Sequence, residues 1–97
     1  MNDKLKEKNI HYLMEAISTL ENAEECYAFF EDICTIPELK AMAQRLQVAK
    51  MLSKNCVYSD IVAKTSASTA TISRVNRSLI YGNDGYSIVF NRTNNED

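Results

Sequence analysis

The residues best equipped for chemistry crowd into one stretch, Ser59–Ile80, SDIVAKTSASTATISRVNRSLI. It supplies Lys64, Ser68, Thr69, Thr71, Ser73, Arg74, Arg77 and Ser78. Hydroxyls can bond base edges or phosphates, and guanidinium groups can read guanine or clamp phosphate. Ile72, Val75 and Leu79 recur at three- and four-residue steps, which marks one face of a helix. At 100° per residue, Ala70, Ser73, Arg74 and Arg77 fall on the other side. That side is small and polar at first and cationic further along. It suits a helix entering the major groove of DNA. Thr69, Ala70, Thr71 and Ser73 would lie near bases, with Lys64, Arg74 and Arg77 on phosphate or guanine. An ordinary amphipathic helix with a solvated face has the same pattern.

The elements around this face must hold it. Ser68 is a good N-cap for a helix over 69–80, its side-chain oxygen accepting from the backbone N–H of Ala70 or Thr71. Ile61 and Val62 open a second apolar patch headed by Ser59, also a candidate N-cap. Thr65, Ser66 and Ala67 form the turn between them. A short helix, a three- or four-residue turn and a second helix is the helix-turn-helix arrangement. Its turn commonly holds glycine, where φ is positive, but here Ser66 stands at that place.

The run Pro37–Leu79, and above all STATISRVNRSLIYGNDGY from Ser68 to Tyr86, resembles the Trp repressor superfamily. Within it the run is most similar to the Trp-repressor-related YerC/YecD group. The resemblance implies an all-α, intertwined homodimer that binds operator DNA. In that family two arginines sandwich a tryptophan indole, and the matching positions are Arg45 and Arg74, with Ser78 also kept. The glycine that follows the second arginine is Val75 here, and Arg77 replaces an asparagine. A β-branched side chain would fill the space the indole needs, so no L-tryptophan corepressor is expected. Another effector between Arg45, Arg74 and Ser78 is left open, beside the plainer reading that both arginines contact phosphates or pair with acids.

With 97 residues, one domain is the most the chain can form, and its core is small, so dimerisation is a plausible source of stability. No apolar run approaches the roughly 18 residues of a membrane helix. No basic-plus-apolar leader is present, and Cys26, Cys34 and Cys56 form no CxxC pair. They read as reduced, mostly buried thiols of a cytoplasmic protein. With His11 the lone histidine, no metal site is expected. There is no Ser-His-Asp or Cys-His arrangement and no glycine-rich phosphate loop, which argues against an enzyme. The net charge of −2 is unevenly spread. Residues 1–36 carry −5, residues 37–80 carry +5 and residues 81–97 carry −2. The positive field therefore falls on the half that holds the cationic helix.

In chain order, residues 3–20 predict a first helix with Leu5, Ile10, Leu13, Met14, Ile17 and Leu20 as its stripe, which a second subunit would cover. His11 is a boundary residue beside that stripe. Asn22-Ala-Glu-Glu25 and Thr35-Ile-Pro-Glu38 have the form of capping boxes that open the second and third helices. The third, roughly 36–54, carries Leu39, Met42, Ala43, Leu46, Ala49 and Met51 or Leu52 on its apolar side. Asn55 stops it, because asparagine tolerates the left-handed conformation. Gly82 is a natural C′ residue, and Asn83-Asp84-Gly85 reads as a turn. Ser87–Phe90 is a short strand or a last helical turn, and Asn91–Asp97 frays.

The organisation expected is thus dimerisation helices over 1–35, a scaffold helix over 36–55, a helix-turn-helix over 56–81 and a turn and tail over 82–97. The function expected is a sequence-specific regulator, a repressor, reading double-stranded DNA without a membrane partner. The alternative is a helical dimeric protein-interaction module with a degenerate helix-turn-helix, which the acidic balance and Ser66 favour.

Overall fold

The computed structural model describes residues 7–93. Among them are six helices and no strand: α1 Lys8–Ser18, α2 Ala23–Ile33, α3 Ile36–Ser53, α4 Tyr58–Thr65, α5 Thr69–Tyr81 and α6 Gly85–Thr93. The chain forms two compact units, Met1–Leu39 and Lys40–Asp97.

In the first unit, side-chain caps set the helix boundaries. Asn22 accepts from the Glu25 amide at 2.9 Å. Asn22 is extended, and the Glu25 carboxylate accepts from the Glu21 amide at 3.0 Å instead of returning to the Asn22 amide. Thr35 and Glu38 complete the reciprocal box. The Glu38 carboxylate accepts from the Thr35 amide at 2.8 Å, and the Thr35 hydroxyl oxygen accepts from the Glu38 amide at 3.2 Å. Helix α1 ends at Ser18, and the Leu20 amide closes a tight turn on Ile17. Leu5 and the expected start at residue 3 lie outside the described residues. No residue of α1 or α2 is buried, and Tyr12, Met14, Tyr27 and Ile33 are all more than half exposed. His11 is exposed as well and meets Glu15 at 2.9 Å, an ion pair only when the imidazole is protonated.

The Thr35 box has a pH signature. The bonds from Thr35, its backbone amide first and then its side chain, hold Glu38 below the ordinary carboxylate range. Its folded value is depressed, so the stability it adds is complete above the ordinary value and is lost as pH falls through the lowered one. Replacing Thr35 by Ala removes only the side-chain bond, so the Glu38 titration midpoint is expected to rise part of the way toward the ordinary range while the backbone amide still holds it below, as followed by carboxylate NMR. An unmoved midpoint would contradict this account of the cap.

The second unit is built around Val48, Ala49, Ile61, Ala67, Ile72 and Val75, each 2% exposed or less. Met51, Leu52, Cys56, Leu79, Tyr86 and Phe90 pack on it. The apolar side expected for α3 is corrected here. Val48 is in the core, whereas Met42 and Leu46 are 36% and 42% exposed. Ala49 in the core and Met51 and Leu52 packed on it are as expected, but apolar residues stand on more than one side of α3, and periodicity alone passes over Val48. Asn55 does close α3, at φ 62°, in a Schellman arrangement. The Cys56 amide bonds Met51 O and the Asn55 amide bonds Leu52 O.

Ser59 is not the cap of α4. The helix starts at Tyr58, two residues earlier than a Ser59 cap would set it, and Val57 occupies the cap position with no side-chain bond. The run 87–90 is no strand. It lies inside α6, which starts after Asp84 takes φ 61° and extends through Asn91 to Thr93. Residues 94–97 lie outside the described residues. Tyr86 and Phe90, one helical turn apart, stack at 6.1 Å, and the Lys50 ammonium lies 5.0 Å from the Phe90 ring centre. Gly82 is not left-handed either, with φ −85°. Its missing side chain matters for another reason: a Cβ there would land on the Ser78 carbonyl oxygen. Of the cysteines, Cys34 and Cys56 are partly buried but Cys26 is exposed, contrary to the expectation of mostly buried thiols.

Candidate nucleic-acid interface

Helices α4 and α5 pack on each other, and Ile61 of the first and Ile72 of the second share one core with Ala67 of the turn. The turn between them has Ser66 at φ 62°, the left-handed conformation for which glycine is the usual choice. Serine holds it here because the neighbours supply bonds. The Ser66 amide reaches Val62 O at 2.9 Å, and the Ala67 amide donates to the Thr65 hydroxyl at 3.1 Å. That hydroxyl donates in turn to Ile61 O at 2.7 Å. Ala67, 2% exposed, then pins the turn to the core.

Ser68 caps α5. Its oxygen accepts from the Thr71 amide at 3.1 Å, and its hydroxyl donates to the Thr71 hydroxyl at 3.0 Å. Thr71, expected near bases, and Ser68, expected in the same DNA-contacting set, are therefore both engaged in the cap, although Ser68 is exposed and Thr71 partly so. Ile72 and Val75 face inward at 0% and 2% exposure. Thr69, Ala70, Ser73, Arg74 and Arg77 are exposed. Among the described residues neither guanidinium has an acidic partner. The N-terminal end of α5 adds the positive end of a helix dipole to these cations.

Lys64 stands apart from that group. One helical turn on from Ile61, it lines a cavity of about 580 Å³ with Lys50, Lys54, Cys56 and Phe90. Arg45 is exposed on α3, and the Ser78 hydroxyl donates to Arg74 O at 3.3 Å. Ser78 lines a shallower cavity with Leu46, Gly82 and Tyr86, and neither arginine lines either cavity. Among the described residues no group of His, Cys, Asp and Glu is placed to hold a metal ion. No described helix is long and apolar enough to cross a membrane.

Gln44, by its type and place on α3 available for phosphate or ligand contact, is instead bonded within the fold. Its side-chain amide donates to Thr65 O at 3.1 Å across 21 residues of chain. No spacing rule points to a bond between residues so far apart.

Six helices and no strand among the described residues, with a capped α5 docked on a short α4, define an all-α fold of the Trp-repressor type. The chain belongs to the Trp repressor family, whose model, described as Trp repressor protein, matches residues 8–94. It is 51% identical over 90 residues to the uncharacterized protein YerC of Bacillus subtilis (strain 168), covering 93% of this chain and 86% of that one. Its fold is similar to the crystal structure of a TrpR-like protein from Eubacterium eligens ATCC 27750. The two share 56% identity and a TM-score of 0.91, with 96% of each chain covered.

Proposed function

We propose that this protein is a homodimeric, sequence-specific DNA-binding regulator, a repressor, that lays α5 in the major groove. The observation that carries the reading is the division of α5 into two faces. Ile72 and Val75 lock one face into the core, while the small Ala70, the hydroxyls of Thr69 and Ser73 and the guanidinium groups of Arg74 and Arg77 are exposed on the other. Membership of a family named for a repressor supports it. The exposed Tyr12, Met14, Tyr27 and Ile33 of α1 and α2 support a dimer, since apolar surface of this kind marks an interface. Two copies of α5 would then reach half-sites about one helical turn, ~34 Å, apart. The test is selection of genomic fragments by the purified protein. Enrichment of a two-fold symmetric sequence is expected, and random recovery would overturn the reading in favour of a protein-interaction module.

L-tryptophan is not the ligand in this reading. Val75 stands where the family's glycine leaves room for a ring, and its 2% exposure shows that the side chain is committed to the core. Calorimetric titration with L-tryptophan is expected to give no binding heat. Micromolar affinity would overturn this point.

A further inference from the structure

We infer that Gln44 is a positioning residue that sets the orientation of α5 by holding the α4–α5 turn to α3. The inference rests on the DNA-binding reading for its functional consequence and on geometry for the rest. The last carbonyls of a helix lack partners within it and take them from water, side chains or later turns. At the end of α4, Val62 O is met by the Ser66 amide and Ile61 O by the Thr65 hydroxyl. The carbonyl of Thr65, the last residue of α4, points instead at the Gln44 side-chain amide, 3.1 Å away and partly buried. The next residue, Ser66, is in the left-handed conformation, which is unfavourable for any residue that carries a Cβ. A bond from α3 at this point therefore braces the one place in the α4–α5 unit where the backbone is strained.

Only three residues separate Thr65 from Thr69, where α5 begins. Any rotation of the turn is carried directly into the direction of α5, and base readout depends on direction far more than phosphate attraction does. Loss of the Gln44 bond should thus weaken specific binding and leave general attraction to DNA intact.

The test compares Gln44→Met and Gln44→Glu with the unaltered protein. Both keep the length of the side chain and lose the donor. Two readouts are taken: amide hydrogen exchange, and affinity for the selected operator and for random duplex. Exchange at Ser66 and Ala67 is expected to speed up while core amides at Val48 and Ile72 hold their rates. Operator affinity should fall about five- to tenfold in both variants, the effect of one ordinary hydrogen bond, with random-duplex affinity unchanged. Unchanged exchange at Ser66 and Ala67, or unchanged operator affinity, would overturn the proposal. So would a uniform rise in exchange across the unit, which would make Gln44 a packing residue only. If the unaltered protein ignores DNA altogether, it is the DNA-binding reading that fails, and the exchange data still decide whether Gln44 holds the turn.

Discussion

Arg77→Ala is expected to lower operator affinity by about a hundredfold or more while leaving the fold intact. Arg77 is exposed on the side of α5 opposite Ile72 and Val75 and touches none of the core. A bidentate arginine–guanine contact is worth about 1–3 kcal/mol of discrimination, and a two-fold dimer makes it twice. Every 1.4 kcal/mol is tenfold in affinity. If Arg77 instead clamps phosphate, the loss is uniform across sequences and the salt dependence becomes shallower by about one for each arginine removed. Titrating the variant against operator and mutated operators separates the two roles. Affinity equal to that of the unaltered protein would remove Arg77 from the interface. Helical content and melting temperature should not change, because surface substitutions of this kind fall within about 0.5 kcal/mol.

The second large effect is the reverse, a change that leaves the exposed face untouched and abolishes what holds it. Ile72 is fully buried, in a core shared with Val48, Ile61 and Val75. Truncation to Ala removes three carbons and leaves a cavity, at a cost of about 2–5 kcal/mol. The total stability of a domain is only about 5–15 kcal/mol. For a chain of this size, about 3 kcal/mol lowers the melting temperature by more than ten degrees. Ile80→Ala is the matched control. Ile80 is 61% exposed at the end of the same helix, and its loss should move the melting point by little. Similar shifts in the two variants, measured by thermal denaturation, would show that α5 is not seated as described.

The sequence speaks clearly where a side chain does local work. Asn22, Thr35 and Ser68 each accept an amide three residues on, so the starts of α2, α3 and α5 are legible from residue type alone. Asn55 and Ser66 adopt the left-handed conformation where α3 and α4 end. The two faces of α5 follow from three- and four-residue steps. Legibility fails where tertiary context decides. Val48 and Leu46 are alike in character, and only the position of α4 and α5 makes one of them core. Ile88 and Val89 give the run 87–90 a strand-like composition, but Tyr86 and Phe90 at i and i+4 are what the core engages. Lys64 counts toward the positive charge of residues 37–80, yet it leans into the cavity beside Lys50 and Phe90, because charge counts carry no direction. The bond from Gln44 to Thr65 leaves no local signature at all.

Affinity for the selected duplex, measured as a function of salt concentration, tests the central claim most directly. A protein that neutralises phosphates releases counterions, so the logarithm of affinity falls linearly with the logarithm of salt. If two copies of α5 and their flanks make about six phosphate contacts, affinity should drop about a thousandfold between ~50 and ~200 mM salt. A steep linear fall, made shallower by removing whichever of Arg74 and Arg77 clamps phosphate, is the predicted result. Affinity that is absent at low salt, or indifferent to salt, would contradict DNA binding by this face.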